Sequence, residues 1–245
     1  MKLSSLALNF HENTKTIVGS EHFDSRIAYK IYPNTKTIPM PKNEPHKWSQ
    51  QDNSFLHALL SRKSVRAFQP KSINLKELSA LLTLSCGLRN DHPDSIFRTY
   101  ASAGARYPIE VYTIIFQSDD LERGIYHYNI CDNTLELIKA GDYRDQVNDF
   151  YRNQDTIIEM NFPCLILFST ISERTMEKYG ERGYRFILLD AGHMSQNLYL
   201  TATYLNLGMV ALGAGAASDD QLNDLLGLAY QQESVFYGFA VGYPR

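Results

Sequence analysis

The chain has 245 residues, 44% of them hydrophobic and 21% charged, with a formal net charge of −3 at pH 7. That allows one large domain or two small ones around an ordinary core, and it leaves no cationic excess for a phosphate backbone, so nucleic acid is not expected as a partner. Cys86, Cys131 and Cys164 form no CxxC pair and leave an odd thiol, which argues against a disulfide framework or a thiolate metal site and for a reducing cytoplasm.

The opening MKLSSLALNF is only briefly apolar and runs into His11, Glu12 and Asn13 with no small-residue cleavage site, so it does not read as a secretory signal. Pro33, Pro39, Pro41 and Pro45 then crowd together. Each lacks a backbone donor and biases its predecessor toward extended geometry. This predicts an irregular proline-rich arm, and sets an N-terminal extension over 1–50 apart from a main domain over 51–245.

The domain opens with a helix from about residue 51, apolar at Phe55, Leu56, Leu59 and Leu60. A second helix starts at Ser72 or Asn74, with Glu77 placed for a capping box and Gly87 closing the run. Ile109 to Phe116 is β-branched and aromatic and predicts a strand, and GIYHYN and TLELIK bracket Cys131, Asp132 and Asn133 as a hairpin would. Pro163 to Thr170 is a continuous apolar run of the kind that fills the centre of a sheet. A long helix over about 182–205 carries Asp190, His193, Gln196 and Asn197, which would be costly in a bilayer, so it reads as a buried helix and no membrane span. A strand over Met209 to Leu212, a helix over Asp219 to Leu226 and a last strand SVFYGFAVGY complete the order. That order predicts an α+β fold, helices packed on a mixed or mostly antiparallel sheet around a long central helix. A doubly wound dinucleotide fold needs regular alternation and a Gly-rich first turn, and neither is present.

Several stretches carry candidate chemistry. Arg62, Lys63, Ser64 and Arg66 in SRKSVRAF put three cations and a hydroxyl within five residues, apt for clamping one phosphate, although a solvated helix end also accounts for them. Ser102, Ala103, Gly104 and Ala105 are four consecutive small residues that would let a flat ligand approach the backbone, or simply form a tight strand-entry turn. Leu212, Gly213 and Ala214 lie in a glycine-rich passage that matches neither GxGxxG nor a phosphate loop. Lys178 beside Tyr179 could shuttle a proton, since a cation next to a phenol favours the phenolate; a surface lysine beside a half-buried tyrosine is the plainer alternative. Asp190 and His193 share a helix face, but no third metal ligand is evident, and a buried hydrogen-bonded pair explains them better. No GxSxG elbow points to acyl transfer.

Taken in this order, the segments resemble the SagB-type (thiazole/oxazole-forming) dehydrogenases of the nitroreductase-like flavoprotein superfamily, over nearly the whole chain. SRKSVRAF looks like its Arg-x-Ser-x-Arg phosphate signature, ASAGARYPIEVY like its flavin-contacting loop and strand, and GIYHYN like its hairpin; KYGERGYRFILLDAGHMSQNLYL is the most specific piece. The resemblance implies FMN at a homodimer interface. Arg62, Lys63, Ser64 and Arg66 would bind its phosphate and ribityl chain, with Arg245 as a further cation. Ser102 to Ala105 would meet the flavin from the partner subunit, Leu212, Gly213 and Ala214 would pass along its ring, and Lys178 and Tyr179 would abstract a proton from an azoline. Ala101, where many relatives have proline, and Gly213-Ala214-Gly215, where an aromatic often ends the turn, depart from the pattern. The activity implied is oxidation of an azoline-like small molecule or peptide, alone or with modification-complex partners, and with oxygen as the final acceptor. An NAD(P)H-dependent nitro or quinone reductase and a non-catalytic flavin-binding subunit are the competing expectations.

Overall fold

Two strands buried along their whole length, β2 (Ile109–Ile115) and β5 (Cys164–Thr170), organise the protein. A strand covered on both faces favours apolar side chains throughout, which is why Cys164 to Phe168 of β5 is a continuous apolar run; β2 departs from this at Glu110 and Thr113, both buried. The computed structural model describes residues 29–41, 55–89, 96–151, 161–212, 216–229 and 231–245. Around β2 and β5 lie β1 (Thr37–Pro39), β3 (Gly124–Asn129), β4 (Thr134–Ala140), β6 (Gly208–Leu212) and β7 (Ser234–Gly242), in the order β1-β4-β3-β2-β5-β7-β6. Every neighbouring pair is antiparallel. The part of the arm expected to be irregular therefore supplies an edge strand, and Pro39 sits at its last position, an edge being where a missing donor is tolerated.

The helices are α1 (Phe55–Ser61), α2 (Leu75–Cys86), α3 (Arg144–Tyr151), α4 (Glu173–Tyr179), α5 (Gly183–Tyr204) and α6 (Ala216–Leu226). The predicted capping box opens α2: the Glu77 N–H donates to Asn74 Oδ1 at 2.8 Å and the Asn74 N–H to Glu77 Oε2 at 3.3 Å. Helix α5 runs 22 residues, about 33 Å. With α2 it covers one sheet face, where Leu78, Leu81, Met194 and Leu198 pack on Val111, Ile166, Phe168 and Phe239. The opposite face holds Tyr112, Ile114, Leu165 and Leu167 against Val147 of α3 and Leu222 of α6. Among the described residues no helix is long and apolar enough to cross a membrane.

Candidate active site

Helix α5 carries two clusters. At its C-terminal half, the chain leaving α1 runs beside β6: Ser64 bridges Met209 in parallel, and the Val65 N–H donates to the Met209 carbonyl at 2.9 Å. The close approach requires Gly208, because a Cβ there would fall 2.8 Å from the Val65 side chain. The Arg62 guanidinium lies over the Tyr199 ring at 5.3 Å, and Ser64 Oγ stands 3.5 Å from the Tyr199 hydroxyl. That hydroxyl also accepts from the Ala211 N–H at 2.8 Å, so one α5 tyrosine ties the cation segment to β6. Lys63 and Arg66 are exposed. The C-terminus joins them, with the Arg245 N–H donating to the Ala67 carbonyl at 3.1 Å. Leu212 ends β6 and is buried. Gly213 and Ala214 lie outside the described residues.

The second cluster is nine residues earlier on α5, about 13 Å along the helix axis. Asp190 is 2% exposed and grips the small-residue loop, accepting from Ser102 Oγ at 2.5 Å and from the Ala103 N–H at 3.2 Å. Burial pushes its carboxyl above the ordinary value, and those two donors only partly oppose this. His193 Nδ1 meets the Ala101 carbonyl at 3.0 Å. The pair expected to bond within the helix thus holds the loop instead, because both side chains point the same way from α5. The N–H groups of Ala103 and Ala105 are taken up inside the chain, by Asp190 and by the Ser102 carbonyl, and are not presented to a heterocycle.

The loop is strained. Gly104, Ala105 and Tyr107 have φ of 59°, 52° and 46°, a region that non-glycine residues enter at a cost of about 1–3 kcal/mol each. Gly104 is where the cost is avoided and where space matters most: a Cβ there would fall 2.5 Å from the Tyr179 hydroxyl and 3.0 Å from Lys178 Nζ. Lys178 and Tyr179 therefore stand on the loop of their own chain, with Lys178 Nζ 5.3 Å from the Tyr179 ring and Phe186 edge-on to that ring at 4.9 Å. A cavity of about 760 Å³ opens on the same loop, lined by Arg89, Phe97, Arg98, Tyr100, Ser102 and Gly104. Arg106 and Arg174 complete the surroundings: Arg174 donates to the Tyr107 carbonyl at 3.2 Å and pairs with Glu110. Sequence reasoning passed over Tyr199, one of 16 tyrosines, and Arg106, whose signal was a lone charge between four small residues and a buried strand.

The sequence profile of the Nitroreductase family matches residues 59–243. The chain belongs to this family. It is 32% identical over 168 residues to a nitroreductase-type protein of Methanocaldococcus jannaschii, covering 69% of this chain and 81% of the relative. It is 30% identical over 119 residues to the microcin B17-processing protein McbC of Escherichia coli, covering 47% of this chain and 43% of McbC. The crystal structure of a nitroreductase-type protein from Anabaena variabilis superposes on the whole chain with a TM-score of 0.77 at 25% identity, and this chain spans 49% of that one. The fold expected from the sequence is therefore the fold of this family, with the sheet wholly antiparallel among the described strands.

Proposed function

We propose that this nitroreductase-family protein is an FMN-dependent dehydrogenase that oxidises an azoline-like ring, in a small molecule or a peptide, to the aromatic azole. The observation that carries the reading is Lys178 Nζ and the Tyr179 hydroxyl converging on Gly104, on a loop held by Asp190. The 30% identity to a microcin B17-processing protein supports a peptide-derived substrate.

The donor set fits a phosphate monoester. Arg62, Lys63, Arg66 and Arg245 offer fork-shaped and point-like cations beside the Ser64 hydroxyl, and Tyr199 holds Arg62 and Ser64 together. When bound, FMN supplies a two-electron acceptor for hydride, and oxygen takes the electrons onward as hydrogen peroxide, so azoline and oxygen give azole and peroxide. The chain supplies the proton chemistry: Tyr179 and Lys178 would take the ring proton that leaves as the C–H bond opens. The backbone of Leu212 would pass along the flavin ring.

Two clusters about 13 Å apart on one helix are suited to a homodimer, in which the cations of one copy and the Ser102–Ala105 loop of the other share a flavin. Exposed apolar side chains support this: Phe55 and Leu60 of α1 are 70% and 77% exposed, and Leu189 of α5 is 57% exposed. The test is turnover of an aryl-thiazoline carboxamide by the flavin-loaded protein. Lys178→Ala and Tyr179→Phe should abolish azole formation and keep the bound flavin; full turnover in both would end the reading. The M. jannaschii relative favours a second reading, an NAD(P)H-dependent reductase on the same FMN site, which rapid anaerobic bleaching of the flavin by NADPH or NADH would support.

A further inference from the structure

Helix α4 has seven residues and ends on Lys178 and Tyr179. A helix this short does not hold its own geometry, since its few hydrogen bonds barely offset the cost of starting it. What fixes its end must come from outside. One side chain does so from the small-residue loop itself: Arg106, 8% exposed, donates through Nε to the Arg174 carbonyl at 2.5 Å and through Nη2 to Glu177 Oε2 at 3.1 Å. Residues 174 and 177 are three apart and face the same way from α4, so a single planar guanidinium grips one full turn. The second grip point is the residue immediately before Lys178. Gly104, the contact point of Lys178 and Tyr179, lies two residues before Arg106 in the loop. Loop and helix are thus joined by the Arg106 grip, by the Arg174 bond to the Tyr107 carbonyl, and where the proposed proton-handling groups stand.

We infer that Arg106 is a positioning residue for Lys178 and Tyr179: it sets the distance between α4 and the loop through Glu177 and the Arg174 carbonyl, and touches no substrate itself. The inference rests on the role proposed above for Lys178 and Tyr179. Leucine at 106 would keep the apolar stem and lose both grips. Lysine would keep a charge for Glu177, but a point charge cannot serve Glu177 and the Arg174 carbonyl as a fork does.

The experiment uses the full flavin-loaded chain with two readouts. With the aryl-thiazoline carboxamide as probe, Arg106→Leu should lower kcat by about a hundredfold, the scale expected of a displacement of about 1 Å. KM and flavin content should hold, and Arg106→Lys, which keeps the charge for Glu177 but not the fork, should recover only part of the loss. Competitive acetylation, read by peptide mass spectrometry across pH, reports Lys178 directly and needs no substrate. Arg106→Leu should raise its labelling rate and Arg106→Lys should return it toward the parent value. Unchanged labelling and kcat in a folded Arg106→Leu variant overturn the inference, as does a loss of kcat that merely follows a loss of flavin. Full turnover by both Lys178→Ala and Tyr179→Phe would instead sink the proposed function, and the labelling result would still decide whether Arg106 positions Lys178. If Arg106→Leu fails to fold, Glu177→Ala breaks the same link from a side chain 35% exposed and is read identically.

Discussion

Two regions of the molecule, the buried network of the sheet and the exposed cation segment after α1, treat charge in opposite ways. On the face away from α5, Glu110 of β2, His127 of β3 and Glu136 of β4 form a line through the interior: His127 Nε2 meets Glu110 and Nδ1 meets Glu136, each at 2.9 Å, and all three side chains are at most 4% exposed. Arg174 pairs with Glu110, Asn129 donates to Glu136 at 3.0 Å, and the rings of Tyr32 and Tyr112 flank the imidazole, each 5.2 Å away. Beside them, Lys30 pairs with Glu233, which also accepts from Tyr112 at 2.8 Å and Ser169 at 2.6 Å. Every charge there is answered by its own chain. At the cation cluster, by contrast, no carboxylate among the described residues comes within ion-pair range of Arg62, Lys63 or Arg66. Charges balanced in the interior serve the fold, whereas the cations of the cluster, with no carboxylate in range among the described residues, are the ones proposed above to meet a phosphate.

The largest expected effect follows from breaking the balanced side. His127→Leu would leave Glu110 and Glu136 buried without their shared cation, and removing one partner of a buried pair costs about 3–5 kcal/mol. Urea unfolding should show that loss, while flavin content of the folded fraction stays at the parent level. The pH dependence has a definite sign. Burial alone would raise the Glu110 carboxyl, but His127 and Arg174 overcome it and hold it at about 2; Glu136 is lowered against its own burial by His127 and Asn129. Burial would lower His127, yet its two carboxylates raise it above its ordinary 6.5. A raised imidazole contributes stability that is complete below its unfolded value and fades as pH climbs through the folded one. Lowered carboxylates contribute above their unfolded 4.5, and that part fades as pH falls toward about 2. The network should therefore stabilise most fully between 4.5 and 6.5, and His127→Leu should remove the alkaline decline. A His127→Leu protein with parent stability and an unchanged pH profile would erase the contrast between the buried network and the cation cluster.

Breaking the open side should do the reverse. Arg66→Ala removes an exposed cation whose loss should leave unfolding of the flavin-free protein within about 0.5 kcal/mol. The charge-assisted bond to a phosphate proposed for it, worth about 1.5–3 kcal/mol, would be lost, and FMN titration by fluorescence quenching should read at least a tenfold weaker affinity. Unaltered FMN affinity would mean the cluster is only a solvated segment.

Much of this was legible in the sequence where one local rule sufficed. Cys164 to Thr170 showed its place at the centre of the sheet in a continuous apolar run, Ile109 to Ile115 showed a strand in its β-branched and aromatic residues, and Asn74 with Glu77 announced the start of α2. The cation cluster and the Lys178–Tyr179 pair were visible because each lies in consecutive residues. What stayed hidden depends on register and on loops. His127 faces Tyr112 on one side and Glu136 on the other only because three strands align so, past a bulge between Ile125 and Tyr126. No spacing within one strand encodes that. The grip of Arg106 on α4 joins residues 71 apart in the chain, across a loop whose positive φ values no helix or strand period predicts.

The smallest effect belongs to a pair that resembles the buried network in chemistry and differs only in surroundings. Lys36 Nζ lies 3.0 Å from Glu122 Oε2, with the two side chains 60% and 49% exposed. Water screens such a pair, and holding two long side chains in one geometry offsets most of the remaining attraction. Lys36→Ala should change stability by no more than about 1 kcal/mol, and 0.5 M salt should erase even that. The contrast with His127→Leu then isolates burial as the variable, since both substitutions delete a cation from a carboxylate at about 3 Å. A Lys36→Ala loss as large as that of His127→Leu would show that the short edge strand, and not charge burial, limits the stability of the sheet.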